Sequence, residues 1–315
     1  MTGDRERIEV ALRESVRTPD AYLTEIASHL IVAGGKRLRP VLAVAAAQVG
    51  SSTNVSDDVV QGAIACELVH LGSLYHDDVM DEATTRRGVD TVNAKWGNLQ
   101  AILAGDFLLA RASEIAASLG TEVAGLLART IGRLCEGQIE ELRHTYNVAR
   151  PIDSYLVSID GKTASLYSTA ARIGALVAGH DRATVELLTE FGTAYGMVFQ
   201  IVDDVLDIIA TDDELGKPAG HDMEEGVYTL PVLHTLAAGG AAASELNGIL
   251  GRPLEHAERE KVLDIVRSNG GVASAINRAR DFVSVAESVC DRLPRGGATD
   301  AMRESTAQLL ATVER

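Results

Sequence analysis

Apolar residues recur at three- and four-residue spacing along nearly the whole chain, in long stretches rich in Ala, Leu, Glu and Arg. Alternating β-branched runs are scarce. The pattern predicts an all-α fold, with helices over about 4–17, 20–34, 38–49, 56–81, 91–118, 121–145, 152–179, 183–210, 228–237, 257–268 and 271–292 and a last one running to the C-terminus. The Gly- and Ala-rich stretch Ala237 to Pro253 reads as an interhelical loop. Without a Pro/Ser-rich linker or a low-complexity run, residues 1–315 are expected to form one domain.

Two helical segments are apolar apart from a narrow acidic stripe: CELVHLGSLYHDDVMD at 66–81 and GMVFQIVDDVLDII at 196–209. A merely solvated face would intersperse Lys and Glu. In the first, His70, Ser73, Asp77 and Asp81 fall on one face; in the second, Gln200, Asp203 and Asp207 do. Met197, Val198, Ile201, Val202, Ile208 and Ile209 can bury the rest of the second helix. Neighbouring carboxylates raise the cost of ionising one another, so each Asp-Asp-x-x-Asp motif invites a divalent cation. Magnesium suits that role, because it takes one or two carboxylates plus phosphate oxygens and keeps several waters.

Composition narrows the classes. The formal net charge of −16 argues against nucleic acid and disfavours an anionic membrane surface. The charged N-terminus lacks the apolar centre of a signal peptide, and no apolar run reaches spanning length, so a cytoplasmic location is expected. Cys66, Cys135 and Cys290 are far apart and read as buried free thiols. Trp96 reads as core, and Asp106 as a buried, hydrogen-bonded helix residue.

An acidic protein that handles an anion must group its cations. Gly34-Gly35-Lys36-Arg37-Leu38-Arg39-Pro40 joins a permissive glycine pair to three cations, with Pro40 in the first turn of the next helix. Arg86-Arg87-Gly88 follows Asp81 where the helix should end, and adjacent arginines must point in different directions. Lys162-Thr163 follows Gly161; Lys217 and Asp222 lie in a Gly-rich loop that reads as a lid.

Taken together, GGKRLRP, ELVHLGSLYHDDVMDEATTRRG, AGDFLLA, GKTASL, FQIVDDVLD and GKPAGHDMEEGVYTLP, in that order from about residue 30 to 231, resemble the trans-isoprenyl diphosphate synthases, the polyprenyl synthetase family. The resemblance implies a helical bundle around a central cavity, two aspartate motifs facing each other across it, a homodimer, and three magnesium ions. It assigns metal binding to Asp77, Asp81 and Asp203, with Asp78 and Asp207 as further ligands or support. Lys36, Arg39, His70 and Arg87 match isopentenyl diphosphate-binding positions, and Arg86, Lys162, Thr163, Gln200 and Lys217 match allylic diphosphate-binding ones. Asp77, Asp81, Asp203, Lys162 and Arg86 are the implied catalytic set; Arg37 reads as support.

One departure is visible: Val227 stands where many relatives carry a lysine before Thr-Leu-Pro, which would weaken diphosphate binding or loosen loop closure. Five and four positions before Asp77 stand Gly72 and Ser73, with Val69, Cys66 and Ala65 deeper, so no aromatic floor stops a growing tail. The expected product is long, about six to ten isoprene units along that helix, of the kind that supplies a quinone side chain; a short-chain synthase is the alternative, and a non-catalytic subunit of a heteromeric synthase the second. A terpene cyclase is disfavoured because its second metal motif is not another Asp-Asp-x-x-Asp. A His-Asp phosphohydrolase would need spaced histidines that the chain lacks.

Overall fold

The computed structural model describes residues 2–51, 54–211 and 219–314, and apart from one small hairpin its regular elements are helical. In order they are α1 (Thr2–Ser15), α2 (Ala21–Val32), α3 (Leu38–Ala47), α4 (Asp57–Met80), β1 (Thr85–Arg86), β2 (Val89–Asp90), α5 (Val92–Trp96), α6 (Asn98–Ser118), α7 (Thr121–Leu142) and α8 (Ile152–Ile159). A π-helical turn, Asp160–Ala164, runs directly into α9 (Ser165–Val177). There follow α10 (Arg182–Ile209), α11 (His221–Glu224), α12 (Leu230–Ala237), α13 (Gly240–Ile249), α14 (His256–Ser268), α15 (Gly271–Arg292) and α16 (Gly297–Ala311). The all-α expectation holds. Among the described residues no helix is long and apolar enough to cross a membrane.

The chain divides into two compact units. The first comprises Met1–Ile131, Leu166–Gly192 and Leu293–Asp300. Its central element is α4, where Val59, Ile64, Leu68, Val69 and Leu71 are all buried, as expected of a helix covered on most sides. Ser56 caps this helix through the Val59 amide, and Asp57 and Asp58 complement its dipole. Close approach depends on small residues: a Cβ on Gly72 would stand 3.0 Å from the Gly105 carbonyl oxygen of α6, and one on Gly174 of α9 would strike Ala43 of α3.

The second unit comprises Gly132–Ser165, Thr193–Arg292 and Ala301–Arg315. The C-terminal half of α10 buries Met197, Val198, Ile201, Val202 and Ile208 against residues of α8, α12, α14 and α15, while Ile209, expected with them, is 37% exposed. Gly137 of α7 and Gly161 in the π turn meet at backbone distance: a Cβ on Gly137 would lie 2.4 Å from the Lys162 nitrogen.

Five expectations need correction. The helix expected over 91–118 breaks at Gly97, whose φ of 95° ends α5 and starts α6. The expected loop at 237–253 contains α13, because Ala-rich AAASEL outweighs the glycines; the positive φ of Gly239 and Gly240 confines their breaking effect to the entry. Cys66 and Cys290 are buried free thiols, but Cys135 is exposed, since α7 buries the phase of Val123, Leu127 and Thr130 and turns Cys135 away. Asp106 is exposed beside His76, off the α6 face that buries Ala101, Ala104 and Leu108, and Trp96 is half-buried with its face under the Lys95 ammonium.

Candidate functional site

In the first unit a cationic cluster forms where two short chain segments meet α4. The α2–α3 loop enters α3 through Arg37 at φ 52°, and Arg87 and Gly88 form a two-residue turn, both at positive φ, between β1 and β2. A Cβ on Gly35 would stand 3.0 Å from Arg87 Nη1 and 3.1 Å from Arg37 Nη1, so the glycine is what lets both guanidiniums close on the loop. Arg87 Nη1 donates to the carbonyls of Leu30 and Gly34.

The arginines divide by partner. Arg37 is fully buried and donates to Glu9, Glu67 and the Ile31 carbonyl. Burial opposes its charge, yet the two carboxylates outweigh burial and hold its proton more tightly. Arg86 Nε lies 2.6 Å from Asp78 Oδ1. Arg39 packs its guanidinium 4.4 Å from the Tyr167 ring centroid and leaves a buried Nε without a hydrogen-bond partner. Lys36 is exposed. Burial, with the charges of Arg39, Arg87, Arg86 and Arg37, lowers the His70 pKa well below the usual range, so the ring is neutral at pH 7. The predicted residues Arg39, His70, Arg86 and Arg87 are therefore neighbours. A group of guanidiniums around a neutral imidazole suits a polyanion.

The first aspartate motif ends α4. Asp77 is half-buried, Asp81 is the exposed C-cap residue, and Asp78 turns inward, 1% exposed, where burial raises its pKa against the opposing pull of Arg86. Asp78 Oδ2 is buried without a partner. Of the positions along the expected tail path, Ser73 is half-buried and donates to the His70 carbonyl, Val69 is fully buried, and Gly72 faces the α6 backbone.

The second unit holds the other motif. Asp203 is exposed and Asp207 buried, one turn apart on α10. Asp204 points into the core, where it accepts from the Tyr155 hydroxyl and, at 2.8 Å, from Gln200 Nε2. Gln200 Oε1 accepts at 2.7 Å from Thr163, and Lys162 Nζ lies 2.7 Å from Glu141 Oε1. The extra residue of the π turn presents Lys162 and Thr163 together, a deviation often found at functional sites. Lys217 lies outside the described residues. Asp222 sits in the one-turn α11, and the segment after it is tied down by Val227 N donating to Asp222 O and by Tyr146 N donating to Gly226 O.

Glu9, Glu67, Arg150 and Tyr155 escaped the sequence reading. Glu67 stood inside the quoted motif, but nothing in its spacing distinguishes an arginine clamp from an ordinary helix charge. Tyr155 lies about two turns before Lys162 on the helix expected over 152–179, but nothing in that spacing points to its partner Asp204 on another helix. A cavity of about 520 Å³ in the second unit, bordered by Val148, Ile152, Leu233 and Asn247, contains none of the predicted site residues.

Neither motif encloses a cation by itself, and among the described residues no group of three or more His, Cys, Asp or Glu side chains is placed to do so. Paired carboxylate oxygens one helical turn apart fit a hard cation that completes its shell with water and phosphate. Each unit therefore offers at least one solvent-accessible carboxylate of its motif, Asp77 and Asp81 in the first and Asp203 in the second, together with cationic side chains.

Comparison with known proteins gives these features a context. The Polyprenyl synthetase family model matches residues 20–269. The chain is 41% identical over 279 residues to the nonaprenyl diphosphate synthase of Mycobacterium tuberculosis, covering 88% of this chain and 82% of that one. It is 37% identical over 305 residues to heptaprenyl diphosphate synthase component 2 of Geobacillus stearothermophilus, covering 96% and 94%. Among solved structures, a polyprenyl synthase from Caulobacter crescentus complexed with calcium and isoprenyl diphosphate superposes with a TM-score of 0.92 at 32% identity, over 98% of this chain and 95% of that one.

Proposed function

The chain belongs to the polyprenyl synthetase family and is a trans-prenyltransferase, and from that premise we propose that it elongates an allylic diphosphate with isopentenyl diphosphate, in a magnesium-dependent reaction, to a long-chain product. The observation that carries this reading is the charge inventory of the first unit. Arg37 is consumed by Glu9 and Glu67, and Arg86 engages Asp78 through Nε alone, whereas among the described residues no carboxylate lies within ion-pair distance of Lys36, Arg39 or Arg87, Glu67 acting on Arg87 only at longer range. These three cations with a neutral His70 donor match the charge of one isopentenyl diphosphate.

Asp77, Asp81, Asp203 and Asp207 would hold the metal, with Asp78 and Asp204 turned away to support them. Bound magnesium, three ions by family resemblance, would neutralise the charge that develops on the departing allylic diphosphate. Arg86, Lys162, Thr163, Gln200 and Lys217 orient the allylic diphosphate. Arg39, Arg87, Lys36 and His70 hold isopentenyl diphosphate so that its double bond attacks the allylic carbon, and apolar walls keep water away from the cationic carbon. The released diphosphate takes the proton lost from the adduct.

The small residue at Ser73 and relatives named for nonaprenyl and heptaprenyl products support the long-chain reading over a short-chain one, whereas Gly72, packed against the α6 backbone, serves close helix approach. The exposed Leu99, Ile102 and Leu103 on α6 offer an apolar face for a homodimer. A second reading, need for a partner chain, rests on the relative named as component 2. The test is turnover by the purified chain alone with and without a chelator: magnesium-dependent condensation is expected, and activity that appears only with a second protein favours the partner reading.

A further inference from the structure

We infer that Tyr155 is a positioning residue for the second aspartate motif: through Asp204 it fixes α10 against α8 and the π turn, holding Asp203 and Asp207 in register with Lys162 and Thr163. The inference rests on the proposed function of these aspartates.

Tyr155 is 2% exposed, in the first turn of α8. Its hydroxyl donates to Asp204 Oδ2, the other carboxylate oxygen accepts from Gln200, and Gln200 accepts in turn from Thr163. One buried carboxylate, with Gln200, thus ties together three pieces of backbone: α8, the π turn and α10. Behind it, the Arg150 guanidinium carbon lies 5.7 Å from the Tyr155 ring centroid, and Arg150 Nε and Nη2 are buried without hydrogen-bond partners. That placement favours the ring position that aims the hydroxyl at Asp204.

The geometry makes the tie consequential. Consecutive helical residues are separated by about 100° around the axis, so an anchored Asp204 fixes where Asp203 and Asp207 point. If α10 rotated by even a fraction of that angle, these carboxylates would move relative to Lys162 and Thr163. Tyr155 touches neither metal nor substrate in this arrangement. It acts as an outer-shell partner, of the kind whose loss weakens metal affinity or activity about 10- to 100-fold.

The test compares Tyr155→Phe with the wild-type chain in the condensation assay, varying magnesium, the allylic diphosphate and isopentenyl diphosphate separately, and in calorimetric titration of each protein with magnesium, where the variant should bind more weakly. Loss of the hydroxyl should raise the magnesium concentration for half-maximal activity about tenfold and raise the allylic KM, with the isopentenyl diphosphate KM unchanged. A general loss of structure would shift both substrates alike. Asp204→Asn, whose amide oxygen still accepts from Tyr155, should retain most of the magnesium response, whereas Asp204→Ala should lose it. An unchanged magnesium response in Tyr155→Phe overturns the inference, and so does equal damage from Asp204→Asn and Asp204→Ala. An inactive wild-type chain would instead overturn the proposed function.

Discussion

Asp78 and Asp204 hold the same place in the two aspartate motifs and are similarly buried, at 1% and 3% exposure, yet one meets a cation and the other meets two neutral donors. Burial raises the proton affinity of both. At Asp78 the Arg86 guanidinium opposes that rise directly. At Asp204 the nearby charges of Asp222 and Asp203 add to it, and the hydrogen bonds from Tyr155 and Gln200, with the more distant charge of Arg150, pull the other way. The first motif thus carries its own counter-charge, on a residue proposed to face substrate. The second is held by hydrogen bonds, with Arg150 only at longer range, so under the proposed function its carboxylates would depend more heavily on bound metal for neutralisation.

The largest predicted effect falls on the outer aspartates, where the two motifs should behave alike. Asp77→Ala or Asp203→Ala should lower kcat about 10³-fold by removing charge stabilisation from the leaving diphosphate, read from initial rates at saturating magnesium. If one substitution is tolerated, the motifs are not partners in one reaction.

The inner positions should then separate the motifs. Arg86→Ala leaves Asp78 buried without its cation and should cost about 2 kcal/mol of stability, less than a fully buried pair because the Arg86 side chain is 29% exposed. Adding Asp78→Asn should recover much of that loss in chemical denaturation. Equal stability of Arg86→Ala and wild type would remove the counter-charge argument.

Product length offers a third contrast. Ser73→Phe, one turn before Asp77, should shorten the product, whereas Phe199, one turn before Asp203, is aromatic already, and Phe199→Ser should leave length unchanged. Chain-length analysis of extracted products decides both. Gly72 is a poor site for such a block, since α6 backbone already stands 3.0 Å from the space its Cβ would take.

The smallest effect concerns His70. Its folded pKa is depressed by burial and the surrounding arginines, so the unfolded chain binds more protons once pH falls below its ordinary value of about 6.5. Stability should therefore fall as pH drops below about 6.5, by at most about 1.4 kcal/mol per pH unit for this one group. His70→Gln should flatten that part of the curve, as measured by denaturation between pH 7 and 5; an unaltered slope would mean that other groups set it.

Much of this was legible in the chain. Apolar periodicity located α4 and α10 within a residue or two, because both helices are long and their acidic stripes interrupt an otherwise apolar surface. The cations grouped around His70 were legible as motifs. Less legible was the division of labour among them: Arg37 and Arg39 are two residues apart, yet one is consumed by Glu9 and Glu67 and the other packs on Tyr167. Those partners come from distant parts of the sequence, and local spacing carries no trace of them. The same holds for Tyr155 and Asp204. Gly97 was passed over inside an expected continuous helix and Gly239 was absorbed into an expected loop, because the positive φ that each adopts is not specified by composition.

Condensation itself is the central claim, and one measurement tests it most directly. The purified chain is incubated with magnesium, isotopically labelled isopentenyl diphosphate and separate allylic diphosphate starters, and the products are resolved by mass. The account predicts labelled prenyl diphosphates longer than the starter, extending well beyond four isoprene units and absent when the metal is chelated. Release of diphosphate from the allylic starter without incorporation of label would contradict it.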